Sequence, residues 1–235
     1  MHKFALFSDL HNNQAHWAYI MSNAKRFTGG IMIAGDFLDE RDPQPMPEQR
    51  ASAIERLVNI KLAPGAICAV VSGNHDIEQG YGQPQGDYYW LSNLAARHNH
   101  LAGHGLHQLK CGWILDAVDW MEESANWPVS AGPNTIMLSH VGPRCAATMT
   151  RHGLDFSSEY MSSMAQDGGS SIYACAHVHE PKRHLARVGR RKGSLVCNPC
   201  RARGKIPNYI ELDLAENTAV FRSAEMPEER MAIYT

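Results

Sequence analysis

The stretch VVSGNHDIE, residues 70–78, begins as an apolar strand and turns polar immediately after Gly73. The next three residues, Asn74, His75 and Asp76, can all bind a metal ion or take part in proton transfer. Five strand-like runs of the chain end in this way, and the residues that follow them are Asp9 and His11, Asp36, Asn74 and His75, His140, and His177 and His179. In open α/β sheets, ligands bind beyond the carboxyl ends of the strands, where the loops converge. The pattern therefore predicts one polar site built from five segments.

The runs that lead to these positions predict an α/β fold. The predicted strands are the apolar or β-branched runs 3–8, 31–34, 66–72, 112–118, 135–139 and 171–176. Helical-length segments at 14–26 and 48–61 separate the first three, so parallel strands are expected there. The second half is predicted to be antiparallel, with strands at 182–188, 194–197, 207–213 and 218–222. Segments 77–87 and 142–170 are predicted to be irregular loops over the site.

Composition narrows the class of protein. With 235 residues, 44% of them hydrophobic and 20% charged, the chain is typical of one globular domain, expected to span 1–235. No apolar run approaches the ~20 residues of a membrane-spanning helix, and the opening MHKFALFS lacks a secretory apolar core, so we expect a cytoplasmic protein without membrane association. The net charge of −2 argues against a chain that binds polyanions over its whole surface.

The residue types at the strand ends are the oxygen and nitrogen ligands that suit Mn, Fe or Zn. Each piece alone has an ordinary explanation, because an Asp after a strand is usually a cap and a lone His140 is usually a hydrogen-bonded core residue. His177 and His179 are two residues apart, so on an extended segment they point to the same side. Their joint occurrence with the other strand ends predicts a metal site.

Five motifs occur in an order that resembles the calcineurin-like metallophosphoesterases. They are D-L-H at 9–11, G-D-F-L-D at 35–39, G-N-H-D at 73–76, S-H at 139–140 and A-H-V-H at 176–179. The resemblance spans residues 4 to about 200. It implies a sandwich of two mixed β-sheets flanked by helices, a four-layer αββα fold. It also implies a hydrolase with two divalent metal ions, of which Mn is expected and Fe, Zn or Ni are alternatives.

The resemblance further implies seven metal ligands in two groups. One ion would be held by Asp9, His11 and His179, the other by Asn74, His140 and His177, and Asp36 would bridge the two. A carboxylate suits the bridging position because its two oxygens can meet both cations and reduce their repulsion. Two ions ~3.5–4 Å apart can share a water molecule and lower its pKa, so the expected nucleophile is a bridging hydroxide.

The two remaining residues of the G-N-H-D motif are expected to serve the chemistry. By the same resemblance His75 stays off the metals. It could stabilise charge on the phosphate or protonate the leaving group. Asp76 could hold the ring of His75 in the required tautomer, and a plain helix cap is an equally open alternative.

Two departures from the family pattern stand out. The usual glycine before the last histidine pair is Ala176, which predicts slight strain or an altered metal preference because a methyl group enters a crowded backbone. The sequence N-P-G, often found downstream, is here Asn198, Pro199 and Cys200.

The expected function is hydrolysis of a small phosphoester or nucleotide, by a phosphodiesterase or a phosphatase. The alternatives are a nuclease acting on single-stranded DNA or RNA and, less favoured, a catalytically inactive scaffold of the same fold. The basic stretch 182–205 could track a nucleic-acid backbone, although such residues are more often solvated hairpin tips. Arg144, Arg151 or His152 could grip a substrate phosphate.

Two further groups of residues have competing explanations. An aromatic group could stack on a base or simply pack around a helix near 87–97, and it consists of Tyr81, Tyr88, Tyr89 and Trp90. Cys197 and Cys200 form a C-x-x-C that could be redox-active or half of a zinc site, but its place at a strand end favours a structural role.

Overall fold

The computed structural model describes residues 2–77, 89–120, 132–166, 170–189 and 193–234. Its strands before the second half of the chain are β1 (Lys3–Phe7), β2 (Gly30–Ala34), β3 (Ile67–Val71), β4 (Leu101–Ala102), β5 (Gly105–Gln108) and β6 (Ile114–Val118). They are followed by β7 (Thr135–Ser139), β8 (Ile172–Ala174), β9 (Leu185–Val188), β10 (Ser194–Cys197), β11 (Tyr209–Asp213), β12 (Thr218–Arg222) and β13 (Glu229–Ala232). The helices are α1 (Gln14–Asn23), α2 (Met46–Asn59), α3 (Trp90–Ala95) and α4 (Glu159–Gln166), with 3-10 turns at Ala24–Arg26 and Asn74–Asp76.

The strands form two mixed sheets. The first has the order β13-β12-β11-β1-β2-β3-β4, in which β1 to β4 are parallel and β11 to β13 run antiparallel. The second has the order β5-β6-β7-β8-β10-β9, in which β6, β7, β8 and β10 are parallel and the two edge strands are antiparallel to their neighbours. The carboxyl ends of β1, β2, β3, β7 and β8 therefore carry the motif residues.

Alternation along the buried strands divides the core into layers. In β1, Phe4 and Leu6 face the second sheet, whereas Ala5 and Phe7 pack with α1 and α2. Side chains of β7 divide in the same way, because Leu138 lies between the sheets and Met137 packs against α4. A strand covered on both faces is apolar at nearly every position. The αββα sandwich implied by the resemblance is thereby confirmed.

The expected strand and helix positions agree with the structure within a few residues, with three corrections. First, the second half is not wholly antiparallel, since β10 pairs parallel with β8. The turn signal after β9 predicts that β9 and β10 pair as an antiparallel hairpin. The sequence does not indicate which of these two strands pairs with β8. Second, α4 lies within the segment 142–170 that was expected to be irregular; only Met161 and Ala165 mark its buried face.

Third, the short strands β4, β5 and β13 were not predicted. β13 has the sequence ERMA, and its residues alternate between half-buried and exposed, as suits a charged edge strand.

Among the helices of the described ranges, none has both the length and the apolar character needed to cross a membrane. Most of the expected loop 77–87 lies outside the described residues.

The layer between the sheets should dominate stability. Leu138 is fully buried there, so Leu138→Ala is expected to lower the free energy of unfolding by about 2–5 kcal/mol through lost burial and a cavity. Leu106→Ala is the matched control, because Leu106 is 52% exposed and should change it by less than about 0.5 kcal/mol. Urea denaturation of the two variants measures the free energy of unfolding. An equal decrease in both variants would contradict the assignment of Leu138 to the core.

Candidate metal centre

The polar strand ends of the two sheets meet at one edge of the sandwich. Asp9, Asp36 and Asn74 follow β1, β2 and β3 of the first sheet, and His140 and His177 follow β7 and β8 of the second. Backbone hydrogen bonds tie neighbouring loops together. The Asp9 amide donates to Gly35 O at 3.2 Å and the His11 amide to Asp36 O at 2.9 Å. In the second sheet the Ala176 amide donates to His140 O at 2.9 Å.

Several of these residues adopt a backbone conformation that is uncommon for a side chain other than glycine. Asp9, His11, Asp36 and His177 have φ of 49°, 43°, 55° and 69°. Such conformations cost about 1–3 kcal/mol each and persist only where the surroundings enforce them. Their concentration at the strand ends indicates a functional site.

Two glycines allow the loops to approach each other. A Cβ atom on Gly73 would lie 2.2 Å from Asp36 Oδ1, and one on Gly35 would lie 2.6 Å from the Gly73 nitrogen. Both distances are shorter than atoms can tolerate, so no other residue fits either position without moving the Asp36 loop.

One group of metal-capable atoms comprises Asp9, His11, Asp36 and His179, whose ligand atoms all lie within 4.8 Å of one another. The Nε2 atoms of His11 and His179 are 3.2 Å apart. His179 Nε2 is 3.5 Å from Asp9 Oδ1. Asp9 Oδ2 accepts a hydrogen bond from Ser8 Oγ at 2.6 Å, which fixes the carboxylate.

A second group comprises Asn74, His140 and His177. Asn74 Oδ1 is 3.1 Å from His140 Nε2 and 3.0 Å from His177 Nδ1, and the two ring nitrogens are 3.2 Å apart. His140 Nδ1 lies 2.7 Å from Ala34 O. Because a carbonyl oxygen only accepts, Nδ1 carries a proton, so Nε2 is the nitrogen that faces the cluster and would bind a metal once it is deprotonated.

Asp36 connects the two groups through a single oxygen. Its Oδ2 lies 3.7 Å from His11 Nε2 and 3.4 Å from His140 Nε2. Its Oδ1 instead accepts a hydrogen bond from the His75 amide at 3.0 Å. The hydrogen bond leaves Oδ2 as the oxygen that faces both groups most directly, and the bridging role of Asp36 stays a prediction.

The donor set fits divalent ions. Ligands ~2.1 Å from one ion and at right angles to each other are about 3.0 Å apart, and tetrahedral ligands somewhat farther. The spacings within both groups lie close to these values. Asp9 Oδ1 is buried and has no hydrogen-bond donor among the described residues. An unpartnered buried carboxylate oxygen is costly without a cation.

The electrostatics of the cluster favour neutral rings at His11 and His177, but not at His140 before a cation binds. Burial acts to lower the pKa of His140, but hydrogen bonds and the charges of Asp36 and Asp9 raise it to about 9. Burial lowers the pKa of His11 to about 4, and burial together with the charge of His140 lowers that of His177 to about 4. Burial acts to raise the pKa of Asp36, but hydrogen bonds and the charges of His140 and His11 together hold that pKa below the ordinary value. Neutral imidazoles and an ionised carboxylate are the forms that bind metals.

Asp76 does not orient His75. Its Oδ1 accepts the amides of Phe37 at 2.8 Å and Leu38 at 3.1 Å, and its Oδ2 accepts those of Asp36 and Gly73, both at 2.8 Å. Its carboxylate thus clamps the Asp36 loop to the start of the 74–76 turn. Among the described residues, Asp76 makes no hydrogen bond to the His75 ring. The structure therefore agrees better with the alternative that Asp76 caps the 74–76 turn.

His75 lies at the margin of the cluster. Its ring packs edge-on against that of His11, with centroids 4.9 Å apart. Its Nδ1 is buried without a hydrogen-bond partner in the described ranges, and it lies 3.9 Å from Glu40 Oε1. The ring belongs to neither donor group.

Sequence reasoning assigned no role to Asn198. Its Nδ2 donates to the carbonyls of Ala147, Ala176 and Val178 at 2.9, 3.1 and 3.3 Å, which holds the segment that carries His177 and His179. Its position directly after the apolar run of β10 is the signal that could have identified it. Ala176 is buried in the layer between the sheets, and its φ is not in the left-handed region, so an L-residue is accommodated there without that form of backbone strain.

Of the other candidate residues, some have structural contacts and others line a cleft beside the site. Arg144 pairs with Asp155 at 2.6 Å beside α4. Arg151 and His152 line a cleft that also includes His177 and His179. Trp90 is buried and donates to Asp76 O at 3.3 Å, which explains it by packing, whereas Tyr89 is exposed. Tyr81 and Tyr88 lie outside the described residues.

Cys197 and Cys200 are buried free thiols. Burial raises the pKa of both, that of Cys200 to about 12, so neither is a reactive thiolate at neutral pH. Cys200 Sγ accepts a hydrogen bond from Asn208 Nδ2 at 3.2 Å. The geometry agrees with the structural role favoured by the sequence.

The family model described as calcineurin-like phosphoesterase matches residues 2–181. The chain belongs to the calcineurin-like phosphoesterase family. This phosphoesterase is accordingly a metal-dependent phosphoester hydrolase. No curated protein matches its sequence significantly.

Two solved structures support the fold of this phosphoesterase. TT1561 of Thermus thermophilus is 12% identical and aligns over 99% of each chain with a TM-score of 0.51. A further solved protein at 12% identity aligns over 98% of each chain with a TM-score of 0.57. Yfce, a phosphoesterase from E. coli, is also similar, at 17% identity over 98% of this chain and 99% of its own, with a TM-score of 0.47.

The clamp formed by Asp76 predicts a stability effect that is independent of metal. Asp76→Asn replaces one acceptor oxygen by an NH₂ group that faces backbone amides, so the metal-stripped variant should lose at least about 1–3 kcal/mol of unfolding free energy. Asp155→Asn is the control, since the exposed pair of Asp155 with Arg144 should contribute under about 1 kcal/mol. Denaturant titration measures both. Unchanged stability of the Asp76 variant would argue against the clamp.

Proposed function

We propose that this phosphoesterase holds two divalent metal ions and hydrolyses a small phosphoester, as a phosphodiesterase or phosphatase. One ion is assigned to Asp9, His11 and His179, the other to Asn74, His140 and His177, with Asp36 shared. The observation that carries the proposal is the position of Asp36 Oδ2, which faces both donor groups at 3.4 and 3.7 Å. Manganese is the expected metal, with Fe, Zn or Ni as alternatives.

Two divalent ions bound there would lower the pKa of a water nucleophile and neutralise charge on the phosphate. The residues of the chain supply position and proton transfer. Asp36 is held by the His75 amide of the 74–76 turn, and His140 is fixed by Ala34 O. His75 lies beside the donor groups without joining them, so its ring is available to protonate the leaving group or to stabilise charge on the phosphate.

The described surface supports a small substrate over a nucleic-acid strand. Clefts of about 710 and 310 Å³ adjoin His179, a size typical of small-molecule sites. Two arginines of the basic stretch 182–205 are bound by the protein itself and so are not free to contact a nucleic-acid backbone. Arg187 donates to the carbonyls of Gly193, Ala232 and Ile233, and Arg203 pairs with Glu180. Arg190, Arg191 and Lys192 lie outside the described residues.

An inactive scaffold is less well supported. A buried cluster of charged and polar side chains is costly to fold, and such clusters mark functional sites. All seven proposed ligands and His75 are present. The cytoplasmic location expected from the sequence stays a prediction.

The proposal predicts a metal content that Asp36 controls. Metal-stripped protein reloaded with Mn, Ni, Zn or Mg should bind two ions per chain and hydrolyse a generic phosphodiester or phosphomonoester. Asp36→Asn should lose both ions together, because it weakens both sites. Elemental analysis by mass spectrometry measures the ions, and 4-nitrophenol release measures turnover. One ion per chain in active wild-type protein would contradict the dinuclear assignment.

The role of His75 is tested by separating metal binding from turnover. His75→Asn should keep its metal content while kcat falls by about 10²- to 10⁴-fold, as expected for loss of a general acid. His98→Asn is the matched control, since its ring lies next to His100 at a distance from the site, and it should retain full activity. A parallel fall in metal content and activity for His75→Asn would mean that His75 is a ligand.

A further inference from the structure

A cleft of about 710 Å³ opens directly beside the proposed metal site, with His179 in its wall. None of its other lining residues has a part in the proposed reaction. Its charged residues come from four segments of the chain and are Arg151, Glu180, Arg201, Arg203 and Glu225. The cleft thus offers guanidinium groups next to the place where the phosphoester would be cleaved.

Arg201 is the guanidinium with the most direct connection to the metal site. Its Nη2 lies 3.5 Å from Asp39 Oδ2, and the same oxygen is 3.9 Å from His11 Nδ1. The Arg201 side chain is 41% exposed. A guanidinium has five N–H groups in a planar fork, so this one contact anchors the group and leaves donors free to face the cleft.

The backbones that carry Arg151 and Arg201 are both fixed. The Arg151 amide donates to Glu180 O at 3.2 Å, and β-bridges join Thr150 to Pro181 and Met149 to Asp155. On the other side, the Cys200 amide donates to Asn198 Oδ1 at 2.8 Å, immediately before Arg201. The two arginines therefore emerge from segments that also support the histidine pair.

The opposing charges of the cleft leave these two arginines available. Glu180 pairs with Arg203, whose side chain is 84% exposed. Glu225 packs over Gly204, because its Oε1 would lie within hard contact distance of a Cβ atom on that glycine. No carboxylate pairs with Arg151 among the described residues. Arg151 and Arg201 consequently provide positive charge that the protein itself does not fully neutralise.

We propose that this cleft binds a second phosphate group of the substrate, with Arg201 and Arg151 as its donors. The inference rests on the proposed function and specifies its substrate class: a small phosphoester that carries another phosphate, such as a nucleoside phosphorylated at two positions. Arginine binds phosphate through paired N–H groups, which gives orientation as well as affinity. The volume suits a mononucleotide-sized molecule rather than a polymer.

Two chromogenic substrates that differ only in the second phosphate test this proposal. They are thymidine 5′-(4-nitrophenyl phosphate) and its 3′-phosphorylated counterpart, assayed with metal-loaded enzyme. The wild type should prefer the second substrate by about tenfold or more in kcat/KM, the effect of one charged hydrogen bond or more. Arg201→Gln and Arg151→Gln should each reduce this ratio severalfold, mainly through KM. Arg201→Lys should retain an intermediate ratio because it keeps the charge without the fork.

Arg203→Gln is the matched control. It removes the same charge two residues away, from a guanidinium already paired with Glu180, and should leave the preference unchanged. Circular dichroism and metal content establish that each variant is folded and loaded. If Arg201→Gln alone misfolds, Arg151→Gln decides the question.

The outcomes separate this proposal from the one on which it rests. If no metal restores hydrolysis of either substrate or of 4-nitrophenyl phosphate, the proposed function fails; if only 4-nitrophenyl phosphate is hydrolysed, the second-phosphate site is overturned. If both are hydrolysed with equal kcat/KM, or if Arg203→Gln lowers the preference as much as Arg201→Gln, only the second-phosphate site is overturned. Faster cleavage of a single-stranded decanucleotide than of the bisphosphorylated nucleoside would overturn the assignment to a small substrate.

Discussion

The carboxylate of Asp36 is the constraint on which the rest of the site depends. It is buried between the two sheets, and one of its oxygens faces donors from both. A buried charge is unfavourable unless partners surround it. Those partners come from distant parts of the chain, the His75 amide on one side and the His140 ring on another. The Asp36 loop itself is fixed by the four backbone amides that Asp76 accepts. The G-N-H-D motif thus shapes the loop opposite it as much as it presents its own side chains.

The parts of the fold that could be predicted are those in which the sequence has a strong local signal. Runs such as KFALF and TIMLS are apolar at almost every position because both faces of their strands are covered. The polar residue after each run then gives the position of the site, since the strands are parallel and their carboxyl ends lie together. Five separate strand ends were sufficient to identify the cluster.

The remaining features depend on contacts between residues far apart in the sequence. The backbone amides that bind the Asp76 carboxylate are up to 40 residues away in the sequence. From the sequence alone, the adjacent His75 is therefore the more obvious hydrogen-bond partner. The insertion of β10 beside β8 is a choice between the two strands of one hairpin, which local pattern does not encode. The charges of 182–205 look continuous in the sequence, but Arg187 bonds carbonyls near the end of the chain and Arg203 pairs with Glu180. Charge in a sequence is therefore a poor guide to a surface patch.

Each donor group takes ligands from both sheets, because His179 of the second sheet joins Asp9 and His11, and Asn74 of the first sheet joins His140 and His177. The distances within each group consequently depend on how the two sheets are packed. A change of volume among the apolar side chains of the middle layer that moves one sheet relative to the other would change those distances. Selection for a larger or smaller ion can thus act on leucines and isoleucines deep in the interior, which never touch the ion.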